Sequence, residues 1–253
     1  MAPEHLLYTV DEPIATITLN RPEKLNALAV QTWDELRACL ERADEDAAVR
    51  TIVLEGAGRA FCSGDDIGDL DFGTAGDAWA YAERIIRSGL TIDRIDTPVI
   101  AKVDGLAFGG GCELAVLPDV TIASEDARFR MPESLIGAVP GIGLARFPEL
   151  IGLKRTRELF LTNRELSGVE AHDIGLVNEV VPADSLDDVV AQRAADVAST
   201  APVSTRLIKR TLNARLADEA EGVSALTFAL TTEDMKTGMD AFFDDRDPDW
   251  DDK

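Results

Sequence analysis

The chain has 253 residues and sets 47 Asp plus Glu against 25 Lys plus Arg, a formal net charge of -22 at pH 7. A field of that sign repels polyanions, which excludes nucleic acids and anionic membrane surfaces as partners held through Lys and Arg. A hydrophobic fraction of 45% over this length can fill a core, so the acidity is not a mark of disorder.

The surplus is mostly aspartate, 28 Asp beside 19 Glu, and the bases are 19 Arg beside six Lys. In molar salt the Debye length is about 3 Å, which screens self-repulsion while hydrated carboxylates keep the protein soluble. The expectation is a cytoplasmic protein of a salt-accumulating cell. Cys39, Cys62 and Cys112 form no C-x-x-C pair and fit reduced thiols. The opening MAPEHLLYTVDEP has no basic segment leading into an apolar one, and no apolar run approaches the roughly 18 residues of a membrane span.

Along the chain, Tyr8 to Leu19 is rich in Val, Thr and Ile and is broken at Glu12 and Pro13, which predicts two short strands and a turn. Leu28 to Asp46 carries Trp33, Leu36 and Leu40 at helical spacing with an acidic outer face. A strand at Thr51 to Glu55 ends at a glycine loop. The plan then repeats: a polar helix with Trp79, Ile86 and Leu90, a strand from Pro98 to Val103, a glycine turn, and a short apolar helix from Cys112 to Leu117. Asp119 to Ser124 reads as a buried strand.

From about residue 144 the pattern is helical, with candidates at Leu153–Leu161, Gly168–Ile174, Leu186–Thr200, Pro202–Leu216, Gly222–Thr231 and Met235–Phe243, and one strand at Leu176–Val181. Strands alternating with helices, then helices, predict an α/β core with a helical C-terminal part. The closing DDRDPDWDDK reads as a solvated acidic end.

Two glycine loops follow strands, at Gly56–Ile67 (GAGRAFCSGDDI) and Asp104–Leu114 (DGLAFGGGCEL). Neither matches a phosphate-binding pattern. Both join a strand end to a helix start, where backbone N–H groups lack partners and the dipole is positive. Facing each other, two such loops make an oxyanion hole. Taken alone, Gly109, Gly110 and Gly111 fit a tight turn as well as a catalytic cradle. Glu113 in a first helical turn, and Glu133 after Met131 and Pro132, each fit a dipole-complementing carboxylate as well as an acid–base group. His5 and His172 are too few for a triad or a metal cluster, and Ser63 and Cys62 have no base identifiable in sequence.

Six segments, in order and at matching spacing, resemble the enoyl-CoA hydratase/isomerase (crotonase) family: Asn20–Leu28 (NRPEKLNAL), Ala60–Ile67 (AFCSGDDI), Gly105–Ala115 (GLAFGGGCELA), Phe129–Glu133 (FRMPE), Pro140–Gly143 (PGIG) and Gly175–Pro182 (GLVNEVVP). The likeness runs from about Tyr8 to Trp250, and Met235–Phe243 (MKTGMDAFF) is similar to the family's last helix.

The resemblance implies an α/β fold, a crotonase-like spiral of ββα units, with residues 1–195 as the core holding the acyl-CoA site and residues 196–253 as a helical oligomerisation region. A homotrimer or homohexamer is implied by the same analogy. It places the two oxyanion donors on the backbone N–H groups of Asp65 and Gly110. Acyl-CoA contacts fall on Asp65, Asp66, Ile67 and Gly68, with Lys24, Ala27 and Gly110. Glu113 and Glu133 match the glutamate pair of the family's hydratases, whereas isomerase-like members typically keep only the second.

The implied reaction is hydration of 2-enoyl-CoA to 3-hydroxyacyl-CoA, a step of fatty-acid β-oxidation chemistry. It uses no metal and no cofactor beyond the CoA that is part of the substrate. Rivals on the same scaffold are double-bond isomerisation, dehydration of a functionalised acyl-CoA, and a non-catalytic acyl-CoA- or RNA-binding role, which the charge and the glutamate pair oppose. Arg21 and Lys24 read equally as a phosphate contact and as a plain surface pair. Asp65 stands where small residues are common in the family; pointing inward, its charge would oppose an enolate. Gly68 and Leu144 replace the family's usual Lys and Gly.

Overall fold

The structure, a computed structural model, describes residues 3–69, 73–213, 233–244, 246 and 248–250. Strands β1 (Leu6–Asp11) and β2 (Ile14–Leu19) form the expected hairpin around Glu12 and Pro13. Along β2, Ala15, Ile17 and Leu19 are buried and alternate with partly exposed Ile14, Thr16 and Thr18. Helix α1 (Val30–Glu45) then buries Trp33, Leu36 and Leu40 on one face.

From β3 onward the chain makes one move three times. Strand β3 (Thr51–Gly56) turns a corner into β4 (Ala60–Cys62); helices α2 (Ala75–Gly89) and α3 (Thr91–Arg94) lead to the next pair. Strand β5 (Val99–Val103) turns into β6 (Leu106–Phe108), followed by α4 (Gly110–Val116), and β7 (Val120–Ser124) turns into β8 (Arg128–Arg130). Helix α5 (Gly143–Thr162), β9 (Leu166–Ser167), α6 (Gly168–Asp173), β10 (Glu179–Val181), α7 (Leu186–Ala198) and α8 (Pro202–Asn213) complete the main body.

The first members of each pair build a six-stranded sheet in the order β1-β2-β3-β5-β7-β10, parallel from β2 onward. The second members build a smaller sheet in the order β4-β6-β8-β9, parallel except for β9. In β3, Thr51, Ile52, Val53 and Leu54 are all buried: Ile52 and Leu54 belong to the main core with Leu36 and Leu40, while Val53 belongs to a second core with Leu186 and Val190 of α7. That double burial explains a continuous run where β2 alternates.

The small sheet is where the sequence reading fell short. Strands β4, β6, β8 and β9 span two or three residues each, too few for alternation to register. Helix α4 starts at Gly110, two residues before the expected Cys112. Helix α5 starts at Gly143, ten residues before Leu153, since Pro148 and a kink at Gly152 (φ 78°, ψ 154°) break its period. The strand expected from Leu176 begins at Glu179. The helix from Pro202 is seen to Asn213, while its expected end at Leu216 and the candidate Gly222–Thr231 lie outside the described residues.

The C-terminal part is fastened by charge. Lys209, buried on α8, lies 2.8 Å from Asp119 and donates to the Thr97 carbonyl at 2.9 Å. Arg206 donates to Thr97 Oγ1 and Arg210 pairs with Asp96. The acidic end is not wholly solvated: Trp250 Nε1 donates to the Ser199 carbonyl at 2.7 Å, and its ring packs on Gly238. An indole in a run of aspartates has an apolar body to bury and one N–H to satisfy. Removing the charge of Lys209 leaves Asp119 without its buried cation. Lys209→Met is therefore expected to lower stability by about 2 kcal/mol in urea unfolding, less than for a fully buried pair because Asp119 is partly exposed. Equal urea midpoints would refute that account.

Candidate active site

The carboxyl ends of the parallel strands β4, β6 and β8 lie side by side, and the chain leaves them as residues 63–66, 109–113 and 131–133. Ligands of parallel sheets gather at such ends. The first of these segments zips onto the loop that precedes α1. The Leu28 N–H donates to the Gly64 carbonyl at 2.8 Å, and the Asp66 N–H donates to the Leu28 carbonyl at 3.0 Å, a parallel bridge centred on Asp65. Because both groups flanking Asp65 face Leu28, its own N–H points the opposite way. On that side lies the start of α4, whose first N–H groups have no partner within the helix.

The two backbones touch. A Cβ on Gly111 would stand 2.3 Å from the Cys62 carbonyl oxygen, and one on Gly64 would stand 3.5 Å from the Gly110 nitrogen. Gly109 holds φ 54° and ψ -128°, a conformation that L side chains rarely enter, and this turns the chain from β6 into α4. The structure thus brings Asp65 and Gly110 together.

Glu113 and Glu133 enter the same volume from two elements. Glu113, in the first turn of α4, is 6% exposed, and its Oε1 accepts from the Gly143 N–H at 2.6 Å and the Ile142 N–H at 3.0 Å. Burial, with smaller contributions from the charges of Glu133 and Asp65, pushes its pKa up to about 8 against the pull of those two N–H groups. Glu133 opens the turn Glu133–Ile136 after β8, and its Oε1 lies 3.3 Å from the position of a Cβ on Gly109. Burial, with the Asp65 charge, raises it to about 6, and its Oε2 is buried with no hydrogen-bond partner among the described residues. A buried, unpaired carboxylate oxygen beside a second raised carboxyl is a group held ready for a ligand.

The Asp65 side chain faces inward. Trp33 Nε1 donates to its Oδ1 at 2.8 Å, and its Oδ2 lies 2.7 Å from the position of a Cβ on Gly110. Burial raises its pKa, opposed by Trp33 and Tyr81. Spacing with Leu36 and Leu40 marks Trp33 as a core residue and does not reveal its bond to Asp65. A fully buried indole still needs an acceptor, and that requirement was the available signal.

On the outer side, Asp66 pairs with Arg21 at 3.0 Å and approaches Lys24 at 3.8 Å. Burial raises the Asp66 carboxyl, but the Arg21 hydrogen bond, the Gly68 N–H and the two cations outweigh it and leave the group below its ordinary range. Arg21 also donates to the Ala27 carbonyl at 2.7 Å. Arg21 therefore braces the loop, and of the basic pair it is Lys24, 57% exposed, that extends toward solvent. Ile67 and Leu144 are exposed, Gly68 donates to Asp66 Oδ1, and Ala27 is buried. Burial pushes Cys62 up to about 12 and raises Cys112, so neither thiol is a ready nucleophile. Ser63 Oγ is directed at the Lys24 carbonyl. Among the described residues no cluster of His, Cys, Asp and Glu could hold a metal ion.

Residues 9–253 match the family model described as enoyl-CoA hydratase/isomerase. The chain is 36% identical over 239 residues to the mitochondrial enoyl-CoA hydratase of Pongo abelii, covering 92% of this chain and 82% of that protein. It is 34% identical over 256 residues to a crotonyl-CoA hydratase of Syntrophomonas wolfei, covering 97% of each. A solved enoyl-CoA hydratase from Bacillus anthracis superposes with a TM-score of 0.92 at 31% identity, covering 99% of this chain and all of that one. With a collinear match over nearly its whole length and the same spiral of paired strands, the chain belongs to the enoyl-CoA hydratase/isomerase family.

Proposed function

We propose that the chain adds water across the double bond of 2-enoyl-CoA to give 3-hydroxyacyl-CoA. The observation that carries this reading is that Glu113, buried, and Glu133, half-buried with one oxygen unpartnered, are raised to about 8 and about 6 beside the contacting loops of Asp65 and Gly110. Family membership and the hydratase names of its relatives support it.

In this mechanism the thioester oxygen sits between the N–H groups of Asp65 and Gly110, which stabilise negative charge as it develops; one such donor is worth about 100- to 1000-fold in rate. Glu113 takes a proton from the water that attacks the β-carbon, and Glu133 gives a proton to the α-carbon. Water is thereby divided between the two carbons, and no electrons are gained or lost. Metal and redox groups have no task in it. The step leaves Glu113 protonated and Glu133 ionised, which is also the arrangement that the higher pKa of Glu113 favours in the free site. Once product leaves and a new water enters the site, a proton passed from Glu113 to Glu133 through that water resets the pair. CoA is part of the substrate, bound along Asp65, Asp66, Ile67 and Gly68 with Ala27 at the loop and Lys24 as the basic contact, and its remote binding energy positions the enoyl group.

We further infer a cytoplasmic homotrimer or homohexamer that works in high salt, assembled through residues 196–253. The apolar outer face of α8, with Ile208 60% and Leu212 68% exposed, supports assembly, and the net charge of -22 supports the salt requirement. Stability is expected to rise with added KCl as screening relieves self-repulsion; a fold equally stable at low and high ionic strength would count against the salt reading.

The coupled pair holds one proton between pH about 6 and about 8, two below and none above. Hydration needs one acid and one base, so kcat/KM for crotonyl-CoA in molar KCl should be bell-shaped with its maximum near pH 7. Glu113→Gln and Glu133→Gln should each lower kcat by about 100- to 10,000-fold. No turnover by the wild type would sink the hydratase reading, and unchanged rates in both variants would sink the mechanism.

A stability effect of opposite sign accompanies the loss of activity. Glu113 has a folded pKa above its unfolded value, so its contribution is fully present below the unfolded pKa and is lost as pH rises through about 8. Gln keeps an oxygen for the Gly143 and Ile142 N–H groups and carries no charge. Glu113→Gln should therefore melt above the wild type, by on the order of 5 °C at pH 8, with the gap closing toward pH 5. A wild type that melts higher at pH 8 would contradict this.

A further inference from the structure

The proposed reaction uses the backbone of Asp65 and leaves its side chain without a task. That carboxyl is built into the site. Trp33 Nε1 holds Oδ1 at 2.8 Å, and Oδ2 rests against Gly110. Glu133 Oε1 rests against Gly109, and Glu113 rises from the first turn of the helix that begins at Gly110. Two carboxyls therefore flank Gly109 and Gly110, and a third rises from the helix turn that they begin. An indole only donates, so the Trp33 bond favours the ionised form of Asp65. The titratable groups that face Asp65 are Cys62 at the end of β4, Tyr81 on α2, Glu113 on α4 and Glu133 after β8. None of these four can supply a positive charge.

We propose that the Asp65 side chain is a positioning residue of this site, a negative charge tethered by Trp33 against Gly110 that keeps a proton on the Glu113–Glu133 pair. Like charges confined in one partly dry volume cannot all ionise together. A charge at Asp65 opposes ionisation of either glutamate, so the pair stays singly protonated to a higher pH than it would alone. Burial is the first cause that raises both glutamates, and the Asp65 charge adds to it in each. The same charge is unfavourable to an enolate, which assigns it to the proton count of the pair and not to binding of the thioester oxygen. The inference rests on the hydratase reading for its meaning, but its test does not need turnover.

The test is a titration of the substrate-free full-length protein by NMR, with glutamate labelled with 13C at the side-chain carboxyl, for the wild type, Asp65→Asn and Asp65→Ala. Both variants remove the charge, while only Asn keeps an oxygen for the Trp33 N–H. Both should move the two raised glutamate steps to lower pH, by on the order of one unit. The limbs of the crotonyl-CoA profile should move with them. Trp33→Phe, which leaves Asp65 in place and removes the donor that favours its charge, should move the steps in the same direction by less. No shift in either Asp65 variant, or a shift in one of them alone, overturns the proposal; the second result marks a structural tether. Should one Asp65 variant fail to fold, the proposal stands only if the other and Trp33→Phe both shift. Absence of turnover by the wild type would overturn the hydratase reading and leave the titration result intact.

Discussion

The site depends on two backbone segments approaching within contact distance. Residues 62–65 leave β4 and residues 109–111 leave β6, and a single Cβ on Gly111 would overlap the Cys62 carbonyl. Both partners in that contact are main chain, so no side chain can move aside to make room. The approach does more than pack the small sheet. It sets Asp65 beside Gly110, and it fixes where the first turn of α4 projects Glu113.

Burial then determines the chemistry available to the acidic groups. Most of the carboxylates among the described residues lie at the surface, where salt governs their mutual repulsion. Glu113 is buried and Asp65 and Glu133 are half-buried, and burial heads the causes that raise each of them. Glu113 tolerates its position because two N–H groups at the start of α5 solvate one of its oxygens in place of water. The residue type is common in this chain; the environment is rare in it. The same contrast separates Asp65 from Asp66, adjacent in sequence, one directed into the site and the other held outside by Arg21.

Much of the architecture was legible because it obeys short periods. The hairpin over residues 6–19 shows in β-branched runs broken by Pro13, and α1 shows in the spacing of Trp33, Leu36 and Leu40. The second sheet was not legible. Its strands have two or three residues, and what makes them strands is pairing with partners some 20 to 45 residues away. Helix α5 was half hidden for a different reason, since Pro148 and Gly152 interrupt the helical period that marks it. Resemblance to the family bridged these gaps by matching ordered motifs, while the residues alone left the glycine run between a tight turn and a cradle.

By itself, then, the sequence determined the net charge and its consequences for partners, the α/β class, the two glycine loops, and the candidate pair Glu113 and Glu133. These rest on composition, local period and motif order, which are properties of the chain before it folds. Tertiary structure alone decided that Asp65 turns inward onto Gly110, that Trp33 holds it there, that Arg21 is committed to Asp66 and Ala27, and that Glu113 is solvated by Gly143 and Ile142. Each of those is a contact between residues distant in sequence, and a side chain's charge state depends on what surrounds it in space.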